Sequence, residues 1–474
     1  MRSDARFLVA IAMALGLTLW ASLAVSASLA WHFSLLVYFI ASFATSADLV
    51  DFSVRIYLRQ ASGGSGSQGW RSPTSVGLDI GRYTPYQRRV HLRPYAFIVS
   101  VHNAEAELDD FMERMAPYRE VFWIVDDGST DRTCQILRRA GWRCVEGGKN
   151  RKKPAALRFL LTTLPAEIET VVVLDPDFSI QDLGGSELSD LETVIFEFQR
   201  SGMAAVCPRI AIRRDGLLSR FQSLEYHMSF ALGRRSLGAL GVNSGTSIYK
   251  RSALEDALTR HSLSVYGEDF QTSVILLGEG HQIYYDGRLV FETDGKRRWT
   301  EWFSQRVGWY FGLISVYARH LPTIWRVTRR SPTAAYHFGL YTGVLVLLLH
   351  PLRVAALAVL GLSTLNGLDL LLALDWIPDL ALTDPIYMAA VLGTQTGLAA
   401  VALFIAVPRG ERLYLAPVVP LYAFYALAHV VPVTVGYLNW LSLRTVGARV
   451  WGDHYQDEAS LRAEMARGRP AATS

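Results

Sequence analysis

Hydrophobic and polar positions divide the chain into zones of different period. Between Arg6 and Asp48 no Asp, Glu, Lys or Arg occurs, an apolar stretch long enough for two membrane helices of about 20 residues each. With Trp31 and His32 near the join, the pattern predicts a hairpin of two spans over residues 1–60. A cleaved signal peptide ending near Val25 to Ala27 is the alternative, but the apolar run continues well past that point. Arg2 and Arg6 precede the hairpin, and Arg55 and Arg59 follow it. The positive-inside bias therefore puts both ends in the cytosol.

Residues 61–83 are rich in Gly and Ser and read as a linker. From Tyr95 to about Phe291, short β-branched or aromatic runs alternate with helix-period segments; examples are Ala96 to Val101, Val121 to Val125 and Val171 to Leu174. That alternation predicts an α/β domain over 84–293 with a mostly parallel sheet. Hydrophobic runs return at Ser331 to Leu352, Pro385 to Pro408 and Leu413 to Leu443. They predict a C-terminal membrane region over 331–445 with three spans, or four if the apolar stretch after Arg353 is counted. Residues 446–474 form a tail.

Two stretches have an intermediate character. Leu217, Phe221, Leu224 and Met228 recur at helical spacing beside Arg220, Arg234 and Arg235, and residues 294–330 interleave Trp299, Trp302, Phe303 and Tyr310 with Arg297, Arg298 and Arg306. Both are expected to be amphipathic helices at the membrane surface. An ordinary buried helix has the same spacing.

Composition agrees with a membrane class. The 474 residues are 50% hydrophobic and 19% charged, with a mean hydropathy of +0.19. The net charge of +4 comes from Arg and Lys clustered beside apolar runs, which fits membrane flanks and gives no reason to expect a nucleic-acid partner. Cys134, Cys144 and Cys207 have no C-x-x-C spacing, so neither a zinc site nor a disulfide framework is expected, and a reducing compartment fits. No period of about 20 to 50 residues repeats, which argues against a solenoid or a duplicated transporter.

The candidate chemistry lies at strand ends. The run Val121 to Val125 enters D-D-G-S-T-D, Asp126 to Asp131. Carboxylates at a strand's C-terminal edge can hold a nucleoside, although an Asx turn with Asp131 opening the next helix accounts for them locally. Val171 to Leu174 ends in Asp175-Pro176-Asp177, oxygen ligands suited to Mg²⁺ or Mn²⁺ on a diphosphate. The two clusters lie about fifty residues apart, which favours function over chance. Lys152 and Lys153 open a helical segment where a Lys can reach phosphate, or where a basic turn is simply solvated. Glu268 and Asp269 precede the apolar run F-Q-T-S-V-I-L-L. Asp269 there could be a general base, or merely cap a helix.

In this order the pieces resemble the family 2 glycosyltransferases, in particular the membrane-bound branch with cellulose, chitin, hyaluronan and poly-N-acetylglucosamine synthases. The stretches that carry the resemblance are AFIVSVHNAE, IVDDGSTDRT, KKPAAL, VVLDPDFSI, GLLSRFQSLEYHMSFALGRR, SGTSIYKRSAL, YGEDFQTSVILLGEGHQI and SQRVGWYFG, spread over residues 95 to 312. The resemblance implies a GT-A fold set between transmembrane helices, in a multi-pass protein of the cell membrane (a bacterial inner membrane) with its catalytic domain in the cytosol. It implies an inverting transfer from a nucleotide sugar, a UDP-sugar, to a growing β-linked polysaccharide that is exported through the spans. Transfer of one or a few sugars to a lipid acceptor is the alternative. By the same resemblance Asp126, Asp127 and Lys153 bind the donor, Asp175 and Asp177 hold Mg²⁺ or Mn²⁺, Asp269 is the base beside Glu268, and Gln305, Arg306 and Trp309 bind substrate. Two positions depart from the family pattern. G-E-D stands for T-E-D, and in Q-x-x-R-W the Arg is Gly308, with Arg306, Arg297 or Arg298 left to supply the charge.

Overall fold

The computed structural model describes residues 48–58, 90–181, 190–262, 266–351, 354, 385–446 and 450–451. Most of the N-terminal hairpin, the linker, the fourth C-terminal apolar stretch and nearly all of the tail lie outside the described residues.

The α/β domain is built on eight strands: β1 (Tyr95–Val101), β2 (Phe122–Asp126), β3 (Cys144–Glu146), β4 (Thr170–Leu174), β5 (Phe178–Gln181), β6 (Ala205–Ile212), β7 (Ser247–Lys250) and β8 (Ile283–Thr293). They form one sheet in the order β3-β2-β1-β4-β7-β6-β8-β5. The first four strands are parallel, as their alternation with helices predicts. Beyond β4 the expectation of a mostly parallel sheet needs correction. β7 is antiparallel to both β4 and β6, and β5 is antiparallel to β8. Only β6 and β8 pair in parallel there. Side-chain period is the same in either direction, so this could not be read from the residues.

Helices cover both faces, which explains why β1 and β4 run as nearly continuous apolar stretches. On one side Ile98, Val171 and Val173 meet Leu157, Leu160 and Leu161 of α3 (Lys153–Thr163). The same cluster takes Leu254 and Ala257 of α6 (Arg251–Thr259) and Val274 and Leu277 of α7 (Glu268–Gly278). On the other side Phe97, Val99, Val172 and Leu174 meet α1 (Leu108–Met115), α2 (Thr133–Arg139) and α4 (Asp190–Gln199) through Phe111, Leu137 and Ile195.

The expected surface helices are largely covered. α5 (Gly216–His227) buries Leu218, Phe221 and Leu224 against Leu415, Val418 and Tyr422, leaving Leu217 exposed. Phe221 stacks on Tyr425 with centroids 5.1 Å apart. α8 (Trp299–Thr328) is one helix interrupted at His320, two residues before Pro322, whose ring cannot follow a regular turn. Its Ile314, Val316, Tyr317, Ile324 and Val327 extend the core on the α7 side of the sheet. These aromatic and basic stretches therefore face protein over much of their length, a choice that spacing alone left open.

Among the described residues one helical run, Arg409–Thr445, is long and apolar enough to cross a membrane; Pro332–Leu348 and Leu392–Ile405 are apolar but shorter. Leu413, Phe424, Val431, Leu438 and Leu441 of the long run are exposed. Segment 48–58 joins these helices. Arg55 pairs with Asp51 at 2.6 Å, Tyr336 donates to Asp51 at 2.9 Å, and Phe52 packs with Leu398 and Ala402.

Candidate active site

The acidic strand ends and the basic turn are brought together at the C-terminal edge of β1, β2 and β4. Asp127 follows β2 and is buried; its backbone N–H donates to Val101 at 2.8 Å, and its Oδ1 accepts from the Arg151 N–H at 2.7 Å. Burial raises the Asp127 carboxyl above its ordinary range, against the pull of the Arg151 and Lys152 backbone donors. Asp126 accepts from the Ser129 N–H at 3.1 Å, the expected Asx-type turn. Asp131 accepts from the Thr133 hydroxyl and backbone at the start of α2. Gly128 has φ +75, and a Cβ there would lie 2.5 Å from the Asn150 nitrogen. The D-D-G turn and the G-K-N-R-K-K turn thus pack backbone on backbone, which requires glycine at 128.

Lys153 is the junction of the site. Its Nζ lies 2.8 Å from Asp175 Oδ1, 3.1 Å from Glu268 Oε1 and 3.9 Å from Asp269 Oδ1. Burial works against the charged ammonium, yet Asp175, Asp269 and Glu268 together hold its pKa well above the usual lysine value. Asp269 is pushed up to about 7, first by burial and then by Glu268, with Lys153 opposing. A carboxyl titrating there is suited to general-base work near neutral pH.

Asp175 and Asp177 flank Pro176 past β4, where the Phe178 N–H donates to the Asp175 carbonyl at 3.1 Å. Thr293 at the end of β8 donates to Asp177 Oδ2 at 2.9 Å, and Arg213 donates to the Asp177 carbonyl at 2.8 Å. Burial, then the neighbouring Asp175, raises the Asp177 carboxyl. Two desolvated carboxylates side by side, one of them partly neutralised by Lys153, have oxygen donors of the kind that a divalent cation would take. Among the described residues no group of three or more His, Cys, Asp or Glu side chains gathers as a metal cage. The remaining ligands would come from water and phosphate oxygens, as is usual for Mg²⁺.

Beside these acids lies an open cleft of about 530 Å³ lined by Tyr266, Lys296, Thr300, Glu301, Ser304, Gln305 and Trp309. The G-E-D departure has a packing reason. Gly267 has φ +79, and a Cβ on it would lie 3.0 Å from the Gly312 backbone, so the start of α7 rests directly on α8.

The second departure is also built in. A Cβ at 308 would lie 2.5 Å from Tyr266 Cε1, so the tyrosine ring occupies the space that a side chain there would enter. An Arg at 308 would have to displace the Tyr266 ring before it could reach substrate from this helix face. Arg306 does not supply an exposed charge either. It is 1% exposed, pairs with Glu225 at 2.7 Å, donates to Gln305 Oε1 at 2.9 Å and lies 4.0 Å from the Trp309 ring centre. Its visible task is to hold Gln305 and Trp309 on the cleft wall. Arg297 pairs with Asp215, and Arg298 approaches Glu301.

Sequence reasoning passed over Thr293, Arg213, Glu225, Tyr266 and Lys296. Thr293 and Arg213 lie outside the matching stretches, while Glu225 and Tyr266 stand inside them without a role of their own; the parts of all four come from packing between distant segments. Lys296 lay in view as the first residue of K-R-R. Its main chain is clasped by the buried Gln222 amide, which accepts from the Lys296 N–H at 3.0 Å and donates to its carbonyl at 2.9 Å.

Residues 96–258 match the model of the family described as glycosyl transferase family 2. No curated protein matches the chain. Among solved structures, mannosyl-3-phosphoglycerate synthase from Rubrobacter xylanophilus is similar at 14% identity and a TM-score of 0.31, over 51% of this chain and 80% of that one. GalNAc-T7 with UDP, GalNAc and Mn²⁺ is similar at 10% identity and a TM-score of 0.31, over 48% of each chain. Likeness at that level assigns no substrate. The match runs from the second residue of β1 through most of α6, and this α/β domain is a glycosyltransferase family 2 domain.

Proposed function

We propose that the chain transfers a sugar from a nucleotide-sugar donor, a UDP-sugar, to an acceptor hydroxyl with inversion at the anomeric carbon. One observation carries this reading: Lys153 joins Asp175 at the end of β4 to Glu268 at the start of α7. Donor-side and acceptor-side acids thereby converge next to the cleft. In the proposed reaction the acceptor oxygen attacks the anomeric carbon, the nucleoside diphosphate leaves from the opposite face, and Asp269 takes the hydroxyl proton. Asp126 and Asp127 hold the nucleoside, and Lys153 meets the pyrophosphate. A Mg²⁺ or Mn²⁺ ion held by Asp175 and Asp177 would supply positive charge to the diphosphate. Gln305 and Trp309 receive the acceptor, since the indole face packs well on sugar C–H groups.

The acceptor is a growing β-linked polysaccharide at the cytosolic face of the cell membrane, passed outward through the spans. The exposed apolar side chains of Arg409–Thr445 support a bilayer setting. A second reading, addition of one or a few sugars to a lipid acceptor, is favoured by the Tyr266 ring over Gly308, which leaves no cation to grip a chain at that point. Membranes containing the protein, incubated with a panel of labelled nucleotide sugars, test both. Polymer supports the first reading, a single lipid-extractable product the second, and no incorporation from any donor would sink both.

A further inference from the structure

Cys134 and Cys144 have no motif spacing, yet they meet. Cys134 is the second residue of α2 and half-buried; Cys144 opens β3 and is buried. Their sulfurs are 3.1 Å apart, with the Cys144 thiol donating to Cys134 Sγ. A disulfide has a sulfur separation of about 2.05 Å, so roughly 1 Å of closure would form one. The frame around them fixes the approach. Arg138 on α2 pairs with Glu146 at 2.6 Å and donates to the Cys144 carbonyl at 3.2 Å, clasping helix to strand. Gly141, at φ +79 in the intervening turn, gives the backbone room to adjust.

We propose that Cys134 and Cys144 form a reversible disulfide site that reacts with small-molecule disulfides of the glutathione type. The Cys134 thiolate attacks one sulfur of the incoming disulfide and expels one small thiol, leaving a mixed disulfide on Cys134. Cys144 then gives up its proton to solvent and attacks Cys134 Sγ, expelling the second small thiol. Two protein thiols are oxidised, and one small disulfide is reduced to two thiols. Burial raises the Cys144 pKa, and the hydrogen bond to Cys134 adds to this. The buried, less ionised Cys144 thiol is the poorer first attacker, so the more accessible Cys134 takes the first step, and the 3.1 Å proximity of Cys144 lets it resolve the mixed disulfide within the chain.

The bond would staple α2 to β3 across the β2–α2 turn. β3 pairs with β2 through Ile124↔Cys144 and Asp126↔Glu146, Asp126 ends β2, and Asp127 to Arg132 lead on to α2. Oxidation therefore constrains the turn that carries Asp126 and Asp127. This site stands on thiol geometry and does not depend on the transferase reading.

The test equilibrates the full chain, in membranes, over a series of glutathione to oxidised-glutathione ratios, traps free thiols by alkylation and maps the peptides by mass spectrometry. A linked Cys134–Cys144 peptide is expected to rise with oxidation and to vanish after dithiothreitol treatment. In Cys144→Ser, glutathione is expected to accumulate on Cys134. A wild-type protein that carries no linked peptide at the most oxidising ratio, or that retains glutathione on Cys134 there, would overturn the proposal. Because wild type supplies the deciding measurement, a poorly folding variant does not obscure it.

Discussion

Gly308→Ala adds one methyl group and sets two opposing effects against each other. In a helix interior Ala is favoured over Gly by about 1 kcal/mol. Here the new Cβ would lie 2.5, 2.7 and 2.9 Å from three ring atoms of Tyr266, where carbon contacts settle at about 3.5 to 4.0 Å. The ring must retreat by about 1 Å, or α8 must bend, and overpacking of this kind costs about 1 to 3 kcal/mol. Tyr266 cannot withdraw freely, because the next residue, Gly267, is itself seated against the Gly312 backbone. The clash therefore wins, and the expected net loss is about 1 kcal/mol, taking the middle of the overpacking range. Removing the ring should reverse the sign: in a Tyr266→Ala background, Gly308→Ala is expected to stabilise by about 1 kcal/mol. Thermal unfolding of the purified full chain, followed by tryptophan fluorescence, measures all four corners of this cycle. An equal shift in both backgrounds, or a higher melting temperature for Gly308→Ala alone, would refute the packing argument. Under the proposed function, the same geometry would bear on product length. Gly308→Arg on its own should disrupt the cleft wall, so only the Tyr266→Ala/Gly308→Arg pair offers the side chain a path to an acceptor.

Asp177→Ala should abolish transfer and its response to added Mg²⁺ or Mn²⁺, since a diphosphate without its cation leaves over a barrier higher by several kcal/mol; full wild-type turnover in excess chelator would count against the metal assignment. For Asp269 the base form is the deprotonated one, so kcat/KM should fall as pH drops through about 7. Asp269→Asn should lose turnover while keeping UDP-sugar binding, and equal loss of both would give Asp269 a binding role instead. Glu225→Gln leaves the buried Arg306 guanidinium without its counter-charge, at an expected cost of about 3 kcal/mol. Adding Arg306→Met should recover most of that stability, and melting temperatures that show no recovery would refute the pairing as its cause.

The residues alone determined what is local. Period-2 and period-3.6 patterns located the central strands to within a residue or two, because a buried strand must be apolar wherever its neighbours cover it. Acids just past β2 and β4 were legible for the same reason: parallel strands direct their C-terminal ends to one edge, so loops there share a crevice. Only the tertiary structure decided which of those loops touch. Lys153 and Glu268 stand 115 positions apart and meet at 3.1 Å because α3 and α7 cover the same face of the sheet. The turn of β7 against β4 was equally hidden, since strand period carries no direction. Arg306 looked free to meet substrate, but a guanidinium is buried or exposed according to whether a carboxylate such as Glu225 arrives from another helix. Gly308 read as a missing charge, whereas its place is taken by a ring from the chain just before α7. Cys134 and Cys144 lacked any spacing signal, and their contact follows from how α2 folds back on β3. Periodicity is a property of neighbouring residues; each of these contacts depends on how the chain crosses over itself, which no local pattern records.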